Sequence, residues 1–194
     1  MGQYYKPISI EKKQYVYSHD YDNGLKLMEH SWIGNKFVGV VEDLIAEGGA
    51  WHGDRIVWAG DYADNEKNRK NNLFSMTDTK KGLRINPTPT KNKYRFVLNL
   101  DTKEFVDTKK IPLSDVYVDE NGKEWPFQVH PLPILTCEGN GRGGGDFHKE
   151  DPLVGKWARN RVSVSNTKPT GFTEIEFNIF EGKEPYVSKK KEMA

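Results

Sequence analysis

Period-two alternation of apolar and polar residues dominates this chain, interrupted by one stretch of helical period. "YYKPISI" (4–10) and "QYVYSH" (14–19) read as strands joined by "EKK", and "DYDNG" (20–24) turns the chain, because Asn and Gly accept the positive φ that tight turns demand. "LKLMEHSW" (25–32) is expected as a third strand. In "KFVGVVEDLIAEGG" (36–49) the period changes: Phe37, Val40, Val41, Leu44 and Ile45 fall at i, i+3, i+4, i+7 and i+8, the stripe of an amphipathic helix. Asn35 suits its N-cap and Gly48 its end. The spacing predicts a helix at about 36–47 that lays Phe37, Val41, Leu44 and Ile45 on a sheet.

Further along, "DRIVWAGDY" (54–62) reads as a buried strand entering a turn. Residues 63–93 are polar and too long for an ordinary connection; an irregular insertion is expected, with a short helix near Leu73–Met76. "YRFVLNLDTKEFVDT" (94–108) and "VYVDENGKEWPF" (116–127) have the form of hairpins. "SIEKKQYV" (9–16), "NLDTKEFV" (99–106) and "VDENGKEW" (118–125) match in residue class, which a shared turn chemistry or a duplicated β unit would explain. "HPLPILTC" (130–137) is expected to be extended, since each proline restricts the residue before it. "KWARNRVSVS" (156–165) and "TEIEFNIFE" (173–181) alternate as strands, and a basic tail at about 187–194 is expected to fray. The pattern therefore predicts an α+β fold, mostly antiparallel β-hairpins packed with one amphipathic helix, in a single domain over 1–194.

Composition narrows the function classes. The chain is 36% hydrophobic with a mean hydropathy of −0.78, yet 12% aromatic, and disordered chains are poor in aromatics. A net charge of +1 from 29 basic and 28 acidic residues does not suit a protein that coats nucleic acid by charge alone. The basic clusters at 67–72 and 158–161 read as solvated faces, so direct nucleic-acid binding is not expected. A single cysteine, Cys137, excludes an intrachain disulfide and suits a reducing compartment. Without a signal-like start or an apolar run near ~18 residues, the expected location is the cytosol, away from the membrane.

Candidate chemistry concentrates in "EGNGRGGGDFH" (138–148). Gly139, Gly141 and Gly144 satisfy G-x-G-x-x-G literally, but Pro152 and an aperiodic sequence follow where a nucleotide-binding helix would have to open. What remains is a flexible loop. Its backbone N–H groups could converge on an anion, with Arg142 as a bidentate grip and Gly143 and Asp146 beside it; equally, the glycines could only solve a turning problem. Arg55, Asp54, Asp61 and Asp64 flank the buried strand at 54–62 as further anion, partner or acid–base candidates, or as plain turn formers. Cys137, His130 and His148 could hold zinc, but no closely paired ligand motif is present, so no cofactor is expected. Tyr, Trp and Arg are the preferred anchors of protein interfaces, and aromatics around the polar insertion could form a recognition surface.

"MGQYYKPISI", "GLKLMEHSW", "GDRIVWAGDYAD", "HPLPILTCEGNGRGGGD" and "VGKWAR" together resemble a family of small proteins from bacteria, phages and mobile elements, and the chain resembles a type II anti-CRISPR protein, an inhibitor of Cas9. The resemblance implies a non-enzymatic phage or mobile-element inhibitor whose partner is a host defence protein, Cas9 or its guide-RNA complex. It transfers no site residue. The alternative is a small metal-dependent or nucleotide/anion-binding enzyme that uses loop 139–145 and nearby carboxylates.

Overall fold

The computed structural model describes residues 3–78, 83–118, 121–139, 147 and 151–179, with only the backbone at 78 and 115–118. The expected first hairpin forms from β1 (Tyr5–Ser9) and β2 (Gln14–Val16), paired antiparallel. The next segment departs from expectation. Residues 25–32 hold a short helix, α1 (Leu27–His30), where a strand was expected. Its first turn is tied by the Glu29 carboxylate, which accepts from Lys26 N at 2.9 Å. Leu27 and His30, three residues apart, are both fully buried, so the burial spacing here is helical rather than alternating.

Helix α2 (Lys36–Ile45) starts at its expected cap: Asn35 Oδ1 accepts from Phe37 N at 2.8 Å and Val38 N at 3.2 Å. Phe37, Val41, Leu44 and Ile45 all enter the main core. At the far end the Ile45 carbonyl accepts from Ser163 Oγ at 2.9 Å. The helix stops there, and left-handed Gly48 lies three residues beyond it.

Strand β3 (Arg55–Gly60) runs through the middle of the sheet. Ile56 and Trp58 point into the main core with α2, while Val57 and Ala59 join Ile8 and Tyr15 in a second cluster on the opposite face. Burial on both faces explains the unbroken apolar run. Helix α3 (Leu73–Asp78) supplies Leu73 and Phe74 to that second cluster, matching the expected short helix. The remaining strands are β4 (Arg84–Ile85), β5 (Phe96–Asn99), β6 (Glu104–Asp107), β7 (Asp115–Val118), β8 (Glu124–Phe127), β9 (Cys137–Glu138), β10 (Asn160–Ser165) and β11 (Thr173–Glu174). The sheet order is β11-β6-β5-β10-β3-β1-β2-β4, with β9 beside β3. β7 and β8 form a separate two-stranded ribbon.

The fold is α+β, as expected, but its sheet is mixed. β11 with β6, β2 with β4, and β3 with β9 are parallel. The β5–β6 and β7–β8 hairpins are antiparallel as expected. One residue in each, and in the β1–β2 turn, is left-handed: Lys13, Lys103 and Gly122, at matching positions of the three similar segments, all have positive φ.

Three further expectations change. Residues 131–136 form helix α4 (Pro131–Thr136) rather than an extended segment. His130 keeps the extended backbone that a following proline imposes. It serves as N-cap, and Pro131 sits in the first turn, where a missing N–H costs nothing. At 156–165 the strand begins only at Asn160, after turns over 152–159. Of the described part of this segment, 173–179, only Thr173–Glu174 is strand; Phe177 nevertheless reaches the core. The expected tail at 187–194 lies outside the described residues.

Candidate functional site

Because β3 and β9 are parallel, both leave the sheet at the same end: β3 through Gly60 into Asp61, β9 through Glu138 into Gly139. The approach is close enough to make any Cβ at 60 a tight fit. A Cβ there would lie 3.0 Å from Gln3 Oε1 and Tyr5 Cε1 and 3.1 Å from the Glu138 carbonyl. Asp61 extends the β1–β3 ladder by one residue. Its N–H donates to Tyr4 O at 3.0 Å, and its Oδ1 accepts from Tyr4 N at 3.0 Å. Asn72 Nδ2 binds its carbonyl at 2.9 Å. Asp61 thus pegs the strand end.

The foot of the glycine loop is held by an arginine that the sequence did not single out. Arg159, in the left-handed conformation at φ 64°, donates its N–H to Ile56 O at 2.9 Å. Its guanidinium forks onto Glu138, with Nε to Oε2 and Nη2 to Oε1 both 2.6 Å, and reaches Glu66 with Nη1 to Oε2 at 3.1 Å. These bonds, Glu138 first and then Glu66, raise its already high pKa further. An arginine saturated by two carboxylates is not open to a phosphate. Glu66 lies in the stretch read as an irregular insertion and Arg159 in one read as a solvated face; a pairing across 93 residues leaves no local signal.

Of the predicted site residues, Gly141, Arg142, Gly143, Gly144 and Asp146 lie outside the described residues, and so does His148. Gly139 directly follows β9, and Phe147, on the far side of the loop, is buried in the main core. Arg55 stands at the other end of β3 from Asp61, roughly 17–20 Å away at strand rise. There its N–H and Nε bind Glu11 at 2.7 and 2.6 Å. The structure does not bring Arg55 and Asp61 together. Asp54 accepts from Ser9 Oγ at 2.6 Å and from Lys12 Nζ at 2.7 and 2.9 Å, a turn anchor. Cys137 is buried with Sγ 3.2 Å from Ile134 O. His130 faces Glu42 instead, with Nε2 to Oε1 at 3.1 Å. Among the described residues, no group of three His, Cys, Asp or Glu is placed to hold a metal ion, and no helix is long and apolar enough to cross a membrane.

The same sheet end carries exposed aromatic surface. Tyr4, held by Asp61, is 45% exposed, and Tyr62, the next residue along from Asp61, is 50% exposed. Elsewhere, Trp125 on the β7–β8 ribbon is 50% exposed, with Lys123 Nζ 3.7 Å from its ring centre. No family model, curated protein or solved structure matches the chain.

Proposed function

We propose that the chain works by docking on another protein through the sheet end where the glycine loop leaves, and that its target is a host defence protein of the type II Cas9 class. The observation that supports the docking surface is the pair of exposed tyrosines, Tyr4 and Tyr62, held on either side of the Asp61 peg beside Gly139. Tyrosines on a rigid backbone lose little entropy on contact and recur as interface anchors. The Arg159 clamp fixes the foot of the loop with its charges already paired, so the surface presents shape and aromatic area rather than a reactive group. The resemblance to Cas9 inhibitors supplies the target.

The test is titration of the purified chain against Cas9, with and without guide RNA, following co-elution and target-DNA cleavage. Binding to one form with loss of cleavage is the expected result. Tyr62→Ala is expected to weaken binding about thirtyfold, the scale of an interface anchor worth about 2 kcal/mol, and Trp125→Ala to leave it unchanged. Binding to neither form with cleavage intact defeats the target; loss on Trp125→Ala alone moves the surface to the ribbon.

A further inference from the structure

A cavity of about 200 Å³ lies between α2 and the segment 90–94, at a distance in sequence from every residue of the proposed docking surface. Three observations mark it as built for a ligand. The first is Gly39. A glycine inside a helix costs roughly 0.5–1 kcal/mol relative to alanine, and here no packing demands it: a Cβ at Gly39 would meet nothing within 4 Å. Gly39 lines the cavity with Asn35 and Glu42, one turn away on the same face of α2. The space is therefore kept open on the helix face itself.

The second is Glu42. It lies among the buried apolar residues of α2 and is itself 7% exposed. One carboxylate oxygen, Oε1, faces His130 Nε2 at 3.1 Å. The direction of that bond is set by the other ring nitrogen: Leu132 N–H donates to His130 Nδ1 at 3.2 Å, so Nε2 carries the hydrogen and donates to Glu42. The other oxygen, Oε2, takes no donor among the described residues and is not among the sealed, unpartnered atoms of the interior; it is left to the cavity that Glu42 lines. A buried carboxylate with one oxygen satisfied and one open is a receptor for a cationic donor.

The third is the rim. Lys36, Lys91 and Lys93 line the same cavity and are exposed. The segment that carries the last two is strapped to α2 through Asp43, which accepts from Thr90 Oγ1 at 2.6 Å, Asn92 Nδ2 at 3.0 Å and Tyr94 OH at 3.1 Å. Burial, and then the Asp43 carboxylate, raise the Tyr94 pKa and keep its proton on the strap. Asp43 is thus fully used, and the charges turned to the ligand are one buried anion and three rim cations.

We infer that this cavity binds a small zwitterion of the α-amino acid class, with the ammonium on Glu42 Oε2 and the carboxylate toward the rim lysines. The volume fits: at about 30 Å³ per water, the cavity displaces roughly six or seven waters, the size of a small amino acid rather than a nucleotide. The inference is independent of the docking surface.

The test is calorimetric titration of the full chain with the common amino acids, with ethylamine and propionate as single-charge controls. Saturable binding of at least one amino acid, tighter than either control by tenfold or more, is expected. Glu42→Gln keeps the shape and the His130 contact and is expected to weaken that binding at least tenfold. Gly39→Leu, whose Cβ meets nothing within 4 Å and whose side chain fills the open space, is expected to abolish it with the fold retained. The inference fails if no amino acid binds, if ethylamine or propionate binds as tightly as the zwitterion, or if Gly39→Leu folds and still binds normally.

Discussion

At the scale of single residues, the most consequential polar group in the core is His30. It is fully buried, edge-on to Phe37 at 5.0 Å, and both ring nitrogens are used: Nδ1 donates to Gly24 O at 3.0 Å and Nε2 accepts from Trp58 Nε1 at 3.0 Å. Protonating Nε2 would break the indole bond and bury a charge. Burial lowers its pKa from 6.5 to about 4, against a smaller opposing effect of the Gly24 carbonyl. Between those values the unfolded chain binds the proton and the folded chain does not, so stability rises with pH across the window. The contribution is complete above the unfolded pKa and lost as pH falls from 6.5 toward about 4. From this group alone the protein is expected to be about 2 kcal/mol less stable at pH 5 than at pH 7. Urea unfolding at the two pH values checks it. His30→Asn, less stable throughout, should flatten the slope; an unchanged slope would put the titration elsewhere.

At the scale of elements, α2 shows what periodicity can deliver. Its stripe, its start at Asn35 and its burial against the sheet were legible because each depends on residues within one or two turns. The cap is also where the helix is easiest to weaken. Asn35→Ala removes the acceptor for two N–H groups and the Nδ2 bond to Asn23 Oδ1 at 2.6 Å; a loss of about 1–2 kcal/mol in denaturant unfolding is expected. The three hairpin turns were legible for the same local reason, and their common left-handed residue favours shared turn chemistry as the source of the sequence similarity. Elsewhere local rules competed. Two prolines pointed to an extended 130–137, but the first turn of a helix tolerates them, and His130 supplied a cap. Residues 25–32 looked alternating, yet burying Leu27 and His30 together required a helical turn. The candidate site was less legible still. Glu138 and Asp61 were within view, but Arg159 reaches Glu138 only because β3, β9 and β10 meet, and Glu42 finds His130 across 88 residues.

At the scale of the whole molecule, charge decides between kinds of partner. The net charge is +1, and several basic side chains are already paired: Arg159 with Glu138 and Glu66, Arg95 with Asp107, Arg161 with Asp101, Arg84 with Asp20. A chain this close to neutral has a weak long-range field. Docking through Tyr4 and Tyr62 should therefore depend little on ionic strength, since apolar contact is not screened. A nucleic-acid ligand held by 6–10 phosphate contacts would lose roughly 10³–10⁵ in affinity between 50 and 200 mM salt. Against its protein target, this chain is expected to lose less than about tenfold over that interval, measured by titration of the same complex at both salt concentrations. A steep loss would mean that the guide RNA or the DNA carries the contact, and that the basic cluster at 67–72, rather than the tyrosines, forms the binding face.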